Sequence, residues 1–278
     1  MLNHVEHLNH IEPCWLGCSR GSNVQRLKVI GDKLFKVVQR VQRLKSKVMS
    51  CSRSSRGSRV QKLTSKERRI EEVVAAYERR RRLIRSRLAE FRAKYTWPQE
   101  ELFAELCFCL FTPQSKAETC DSAVKALKAS DLLLKGSEKA VSSKMRGVRF
   151  KNQKARFLIG ARYKLLSGSR KLDEIVSGSE NNSDLREWFV KNVKGLGYKE
   201  ASHFLRNVGL GKDLAILDRH VLKNLVSYGV IEEIPRSLTR KRYLQIEEKM
   251  LGFSQKVGIP MEELDLVFWS MQTGRVFK

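Results

Sequence analysis

The chain has 278 residues, 41% of them hydrophobic and 31% charged, with a formal net charge of +25 at pH 7 and a pI of about 10.1. Its length suits one large domain or two lobes sharing a cleft, and so large an excess of cations points to a polyanion partner, most commonly nucleic acid. No run approaches the length of apolar chain that a transmembrane helix needs, and the opening MLNHVEHLNHIEPCW lacks the basic start and apolar stretch of a signal peptide. The expected location is intracellular, with no membrane partner, and the cysteines (Cys14, Cys18, Cys51, Cys107, Cys109, Cys120) then read as thiols rather than a disulfide framework.

Residues 1–65 differ from the rest. His4, His7, His10, Cys14 and Cys18 crowd the start, but their spacing fits no standard zinc pattern, so no metal is assigned. Residues 22–45 carry Val24, Leu27, Ile30, Leu34, Val37, Val38 and Val41 near helical spacing. The following SKVMSCSRSSRGSR, 46–59, is an aperiodic basic linker by composition. Its charge would raise non-specific affinity for DNA.

From Ser65 onward the pattern is helical. A long charged helix runs to about Lys94. Pro98 opens the next at its first turn, and 99–111 is strongly apolar, with Cys107 and Cys109 as small core residues. Ser115 is expected to cap a helix through Leu127, and Arg156 to Leu166 forms another. Asp184 precedes a helix with Leu185, Trp188, Phe189 and Val193 on one face. Pro260 opens the last, with Met261, Leu264, Phe268 and Met271 in phase. No two-residue alternation marks a sheet, so the expected class is all-α.

The most informative stretch is VKGLGYKEASHFLRNV, 193–208. One helix ends near Val193. Gly195-Leu196-Gly197 makes a tight turn in which glycine accepts positive φ and lets the backbone approach another surface. A second helix follows with Ala201, Phe204, Leu205 and Val208 on one face, and Gly209 ends it. The N–H groups at such a helix start lack partners and can hold a DNA phosphate, although a helix–turn–helix that merely packs has the same signature. Lys199 stands at the positive end of this second helix, where an ammonium is disfavoured and the neutral amine of a Schiff-base nucleophile is favoured. Leu214–Leu217 is a short apolar run, and Asp218 then precedes a helix carrying Val221, Leu222 and Leu225. Aspartate is a favoured N-cap, and its carboxylate would suit a developing positive charge nearby.

G-L-G-Y-K followed by L-D-R-H, with nineteen residues from Lys199 to Asp218, resembles the endonuclease III superfamily of helix-hairpin-helix DNA glycosylases. The longer strings GLGYKEASHFLRN and DLAILDRHVL and the ending FWSMQTGRVFK resemble the archaeal-type second family of 8-oxoguanine DNA glycosylase/AP lyases. The likeness covers roughly residues 67–278. It implies a two-lobed helical fold with the active site in the cleft between subdomains, over residues 66–278, with the hairpin at 184–208 and 1–65 as an extension outside it. It implies a monomeric bifunctional enzyme of base excision repair, without a cofactor, that excises 8-oxoguanine from double-stranded DNA. Lys199 would attack C1′ of the flipped nucleotide, Asp218 would assist, and β-elimination would cut the strand 3′ to the lesion.

The likeness also assigns base recognition to Trp269 and Lys278. Core packing beside Phe268 and a frayed end are their structural alternatives. It makes Gln114 a wedge toward the estranged base, or else a turn residue after Pro113. His203, four residues after Lys199, lines the pocket or packs. With Gly195 and Gly197, Gln114 and His203 form the DNA-contacting set. No cysteine follows Cys120, so the C-terminal iron–sulfur cluster common in endonuclease III enzymes cannot be built there, which weakens pyrimidine repair as the activity. An endonuclease III-like enzyme for another oxidised base and a non-catalytic DNA-binding module are the alternatives.

Overall fold

The computed structural model describes residues 65–277, which fall within the unit Arg59–Lys278. The helix expected at 22–45, the basic linker, the histidines and cysteines of the N-terminal region and Lys278 lie outside the described residues. Among the described residues there are twelve α-helices and no strand, as expected for an all-α chain. None is long and apolar enough to cross a membrane.

Helix α1, Ser65–Ala93, ends in a 3-10 turn, Lys94–Thr96. Its stripe of Val73, Ala76, Tyr77, Ile84, Leu88 and Phe91 is buried, while Arg79, Arg82 and Arg85 between them are exposed. Helix α2, Gln99–Phe111, is buried continuously from Leu102 to Phe111, as befits a helix apolar on all sides. Pro98 is its N-cap rather than its first helical residue, and Glu100 and Glu101 complement the helix dipole. Helix α3 is Ala117–Ala129, followed by the short α4, Leu132–Lys135, and α5, Glu138–Lys144. Then come α6, Lys151–Leu166, α7, Leu172–Ser177, and α8, Asn182–Asn192. Helices α9, Tyr198–Asn207, and α10, Arg219–Ser227, precede α11, Arg240–Val257, and α12, Met261–Thr273.

Two cores result. The first gathers α2–α9 and the following chain up to Leu214. The second gathers α1 with residues from Ala215 to Val276. The second lobe is therefore made from both ends of the described chain, and the first from the middle. At roughly 1.5–3 kcal/mol for each large apolar side chain enclosed, either core is a substantial stabilising unit.

Several expected boundaries move. Helix α6 starts one turn before Arg156. Helix α8 starts before Asp184, because Asn181 Oδ1 takes the Ser183 N–H at 2.8 Å and caps it. Ser115 does not cap α3, whose N-cap is Lys116; its hydroxyl is occupied by the Arg149 N–H at 3.0 Å and the Lys154 ammonium at 3.1 Å. Helix α11 was not expected, yet Tyr243, Ile246, Met250, Phe253 and Val257 recur along it and are buried.

Helix α11 also carries a buried contact between the lobes. Arg186, on α8, is fully buried, and its guanidinium forms a fork with Glu247, Nη1 to Oε1 at 2.6 Å and Nη2 to Oε2 at 2.9 Å. It packs over the rings of Tyr198 and Tyr243, 5.4 and 5.7 Å from their centroids, which are themselves 5.3 Å apart. Removing one partner of a buried pair leaves the other charge without compensation. Glu247→Ala is expected to lower unfolding free energy by about 3–5 kcal/mol, whereas Arg186→Met with Glu247→Leu should recover most of that loss. Urea unfolding checks this; a single variant no less stable than the double would contradict it.

Candidate active site

The lobes face each other across a cleft of about 810 Å³, lined by Thr112–Glu118, Arg149, Lys199, Glu200, His203 and Arg206 on one side and by Ile216–His220, Asp265, Leu266, Trp269 and Thr273 on the other, with Phe277 packed against the first core. The hairpin enters through its turn. Gly195 has φ +94, and a Cβ there would overlap the Phe157 ring, so both backbone and packing require glycine. Gly197, at φ −91, has no such backbone need; it is the N-cap of α9, and its N–H donates to Glu200 Oε2 at 3.2 Å. The N–H groups of Tyr198, Lys199 and Glu200 begin the helix and so have no partner within it.

Lys199 lies in the first turn of α9 and is 20% exposed. Its Nζ donates to Thr112 Oγ1 at 3.1 Å and is 3.6 Å from Glu200 Oε1. Asp218 caps α10, with Oδ1 accepting the Val221 N–H at 2.8 Å. The segment that delivers it is gripped from α11. Glu247 Oε1 accepts the Ala215 N–H at 2.7 Å, and the Tyr243 hydroxyl donates to Ala215 O at 2.7 Å and accepts from Leu217 N–H at 3.3 Å. The two residues singled out from the sequence thus reach the cleft from opposite lobes.

Trp269 is half-buried in the cleft wall and stacks on Phe277, with centroids 6.2 Å apart and planes 27° apart. Its neighbour Phe268 takes the core position instead. Gln114 is an exposed cleft residue in left-handed backbone, φ 55. His203 is buried at the cleft, edge-on to Phe108 at 5.6 Å.

Sequence reasoning missed Thr112, Arg206 and Asp265. Asp265 precedes Trp269 by four residues and so shares its helix face; that spacing was the available signal, lost among the acidic residues of a helix start. Asp265 is buried, with Oδ2 3.6 Å from Arg206 Nη1. Burial pushes its carboxyl from 3.8 up to about 6; Arg206 opposes the shift, the like charge of Asp218 adds to it, and Lys199 opposes it.

A family model described as 8-oxoguanine DNA glycosylase matches residues 84–259. A protein of Fusobacterium nucleatum named 8-oxoguanine DNA glycosylase/AP lyase is 45% identical over 202 residues, 70% of this chain and 90% of the relative. The crystal structure of the 8-oxoguanine DNA glycosylase of Thermotoga maritima superposes with a TM-score of 0.69 at 35% identity, over 77% of this chain and all of that one. The Methanocaldococcus jannaschii 8-oxoguanine glycosylase/lyase, crystallised with a 15mer DNA containing 8-oxoguanine, gives 0.67 at 35% identity, over 74% of this chain and all of that one.

The charges in the cleft set a titration that can be measured directly. Carbon-13 NMR of labelled aspartate should place Asp265 near pH 6. Arg206→Met removes a lowering charge and should move the titration up, and Asp218→Asn removes a raising one and should move it down; shifts of the opposite sign would contradict the assignment. Because the folded-state value exceeds that of a free carboxyl, the unfolded chain loses this proton first, and the group's contribution to stability falls as pH rises from 3.8 through about 6.

Proposed function

The chain belongs to the 8-oxoguanine DNA glycosylase family, and from that premise we propose that it is a bifunctional DNA glycosylase/AP lyase of base excision repair that removes 8-oxoguanine from double-stranded DNA. The observation that carries this reading is that Lys199 and Asp218, an amine and a carboxylate on different lobes, line one cleft with an aromatic wall at Trp269.

The free N–H groups at the start of α9, with Gly195 allowing close approach, hold a backbone phosphate and position the duplex without reading sequence. The damaged nucleotide leaves the stack and enters the cleft, where Trp269 stacks on the base. Lys278, following Phe277, completes base recognition, and Gln114 stands at the rim toward the estranged base. His203 lines the same pocket.

The Lys199 amine, with one N–H directed to Thr112 Oγ1, offers its lone pair to C1′. The C1′–N9 bond breaks, its electron pair leaves with the base, and the base takes up a proton. The cap uses Asp218 Oδ1, which leaves the second oxygen to stabilise positive charge on the sugar. Loss of a proton from nitrogen and opening of the sugar ring give the C1′ imine. Removal of a C2′ proton then expels the 3′-phosphate, so the strand is cut 3′ to the lesion; water finally hydrolyses the imine and frees the lysine. No cofactor is required. In this reading the enzyme works as a monomer, inside the cell with its DNA substrate.

Lys199→Gln should abolish borohydride trapping on duplex DNA containing 8-oxoguanine while retaining DNA binding; a surviving adduct would make another lysine the nucleophile. Asp218→Asn should slow excision about 10²–10³-fold, the usual cost of losing one charge-stabilising group, as read in single-turnover assays. Trp269→Ala should weaken 8-oxoguanine excision more than duplex binding. Faster release of thymine glycol than of 8-oxoguanine by the unmodified enzyme would overturn the substrate assignment.

A further inference from the structure

Lys154 is buried, 4% exposed, in the first lobe on α6. Its ammonium makes no ion pair among the described residues that would explain its burial. Instead its hydrogens go to Phe111 O at 2.7 Å, Pro113 O at 2.7 Å and Ser115 Oγ at 3.1 Å. An ammonium has three hydrogens, and all three acceptors lie on the segment 111–115 that joins α2 to α3. Enclosing a cation is costly unless it is well bonded, so the site is specific for a compact three-donor group. Burial lowers the lysine's pKa, as does the like charge of Lys199, which places the two amines within electrostatic reach of each other.

That segment carries two of the residues assigned above. Thr112 Oγ1 receives the Lys199 Nζ hydrogen at 3.1 Å. Gln114 stands exposed at φ 55, a left-handed conformation that side-chain-bearing residues adopt only where the surroundings enforce it. The enforcement is visible: the residues on either side of Gln114, Pro113 and Ser115, are both held by the Lys154 ammonium. Ser115 Oγ also accepts the Arg149 N–H at 3.0 Å. This ties in a second rim segment, where Phe150 is 54% exposed and likewise left-handed, at φ 56. The two strained, solvent-facing residues therefore share one fastening.

We infer that Lys154 is a positioning residue of the excision reaction, holding segment 111–115 so that Thr112 meets the nucleophilic amine while Gln114 and Phe150 stay presented to the duplex. The inference rests on the glycosylase/lyase reading with Lys199 as nucleophile. It separates two duties of the site. Forcing an intact nucleotide out of the stack needs the rim; forming an imine at an existing abasic sugar needs chiefly the amine. Lys154 serves the first more than the second.

The test compares Lys154→Met, Lys154→Arg and Ser115→Ala with the unmodified full chain on two duplexes, one containing 8-oxoguanine and one a preformed abasic site. For Lys154→Met, single-turnover excision of 8-oxoguanine should fall about 10²-fold, the scale expected when catalytic groups are displaced by about an ångström, with a markedly smaller fall in borohydride trapping at the abasic site. Ser115→Ala, which removes one of the three acceptors, should show a smaller loss with the same bias, and Lys154→Arg should regain part of the activity. A third readout does not involve Lys199 chemistry: 2-aminopurine placed opposite a tetrahydrofuran site should brighten less on binding Lys154→Met than on binding the unmodified protein. If circular dichroism finds Lys154→Met unfolded, Ser115→Ala and Lys154→Arg carry the test by the same unequal loss. Equal loss on both duplexes, or unchanged 8-oxoguanine excision together with unchanged 2-aminopurine signal, overturns the inference. Failure of the underlying reading looks different: the unmodified protein would not trap on either duplex.

Discussion

A guanidinium with no route to water has to be given a counter-charge by the fold, and in this protein the position of that counter-charge fixes much else. Arg186 comes from the first helix of the hairpin, and Glu247, its partner, from the second lobe. The same Glu247 oxygen that meets Arg186 Nη1 also accepts the Ala215 N–H, three residues before Asp218. One carboxylate therefore references the lysine-bearing hairpin and the aspartate-bearing segment to a common point. Tyr243 reinforces the arrangement, packing against the guanidinium while its hydroxyl bonds Ala215 and Leu217. Buried ion pairs contribute uncertainly to net stability; here the geometric consequence matters more, because the chemistry depends on how two groups from separate cores face each other.

The parts of this site legible in the sequence were local ones. A tight glycine turn followed by an amphipathic helix fixes where Lys199 sits, and an aspartate before an apolar-periodic segment fixes a cap, so both could be placed from spacing alone. Residues whose meaning depends on distant partners were less readable. Asp265 looks like an ordinary acid in a helix start, and nothing nearby indicates that Arg206, from another helix, will meet it. Lys154, in the run KNQK, looks like a solvent-facing charge. Ser115, with Glu118 three residues on, has the pattern of a cap, but its hydroxyl is taken by groups from 149 and 154, and the helix begins without it. Helix α11 was different: its buried residues follow a clear three-four repeat that the dense charge around them obscured.

The cleft combines opposed requirements. It needs cations to receive a polyanion, yet its nucleophile must be an uncharged amine when it reacts. The positive end of α9 serves the first need, attracting phosphate with its backbone N–H groups. The acids are distributed accordingly. Asp218 commits one oxygen to a cap, which under the proposed mechanism leaves the other for the sugar, while Asp265 is set deeper, among Arg206, Asp218 and Lys199, where its charge responds to all three.

The second lobe's construction from both ends of the described chain bears on the order in which the enzyme comes into being. Residues 99–214 supply one core by contacts among neighbouring helices, so that lobe can condense as soon as its own chain has emerged from the ribosome. Helix α1, made earlier, must wait for α12, made last, before its apolar stripe finds its partner, a closure between segments far apart in sequence and correspondingly slow. A nascent chain would then carry the hairpin and its lysine before the aspartate has been brought opposite. The segment bearing Asp218 gains its grip only once α11, with Glu247 and Tyr243, has been made, so a chain stopped short of α11 would carry the hairpin without the contacts that set Asp218 opposite Lys199.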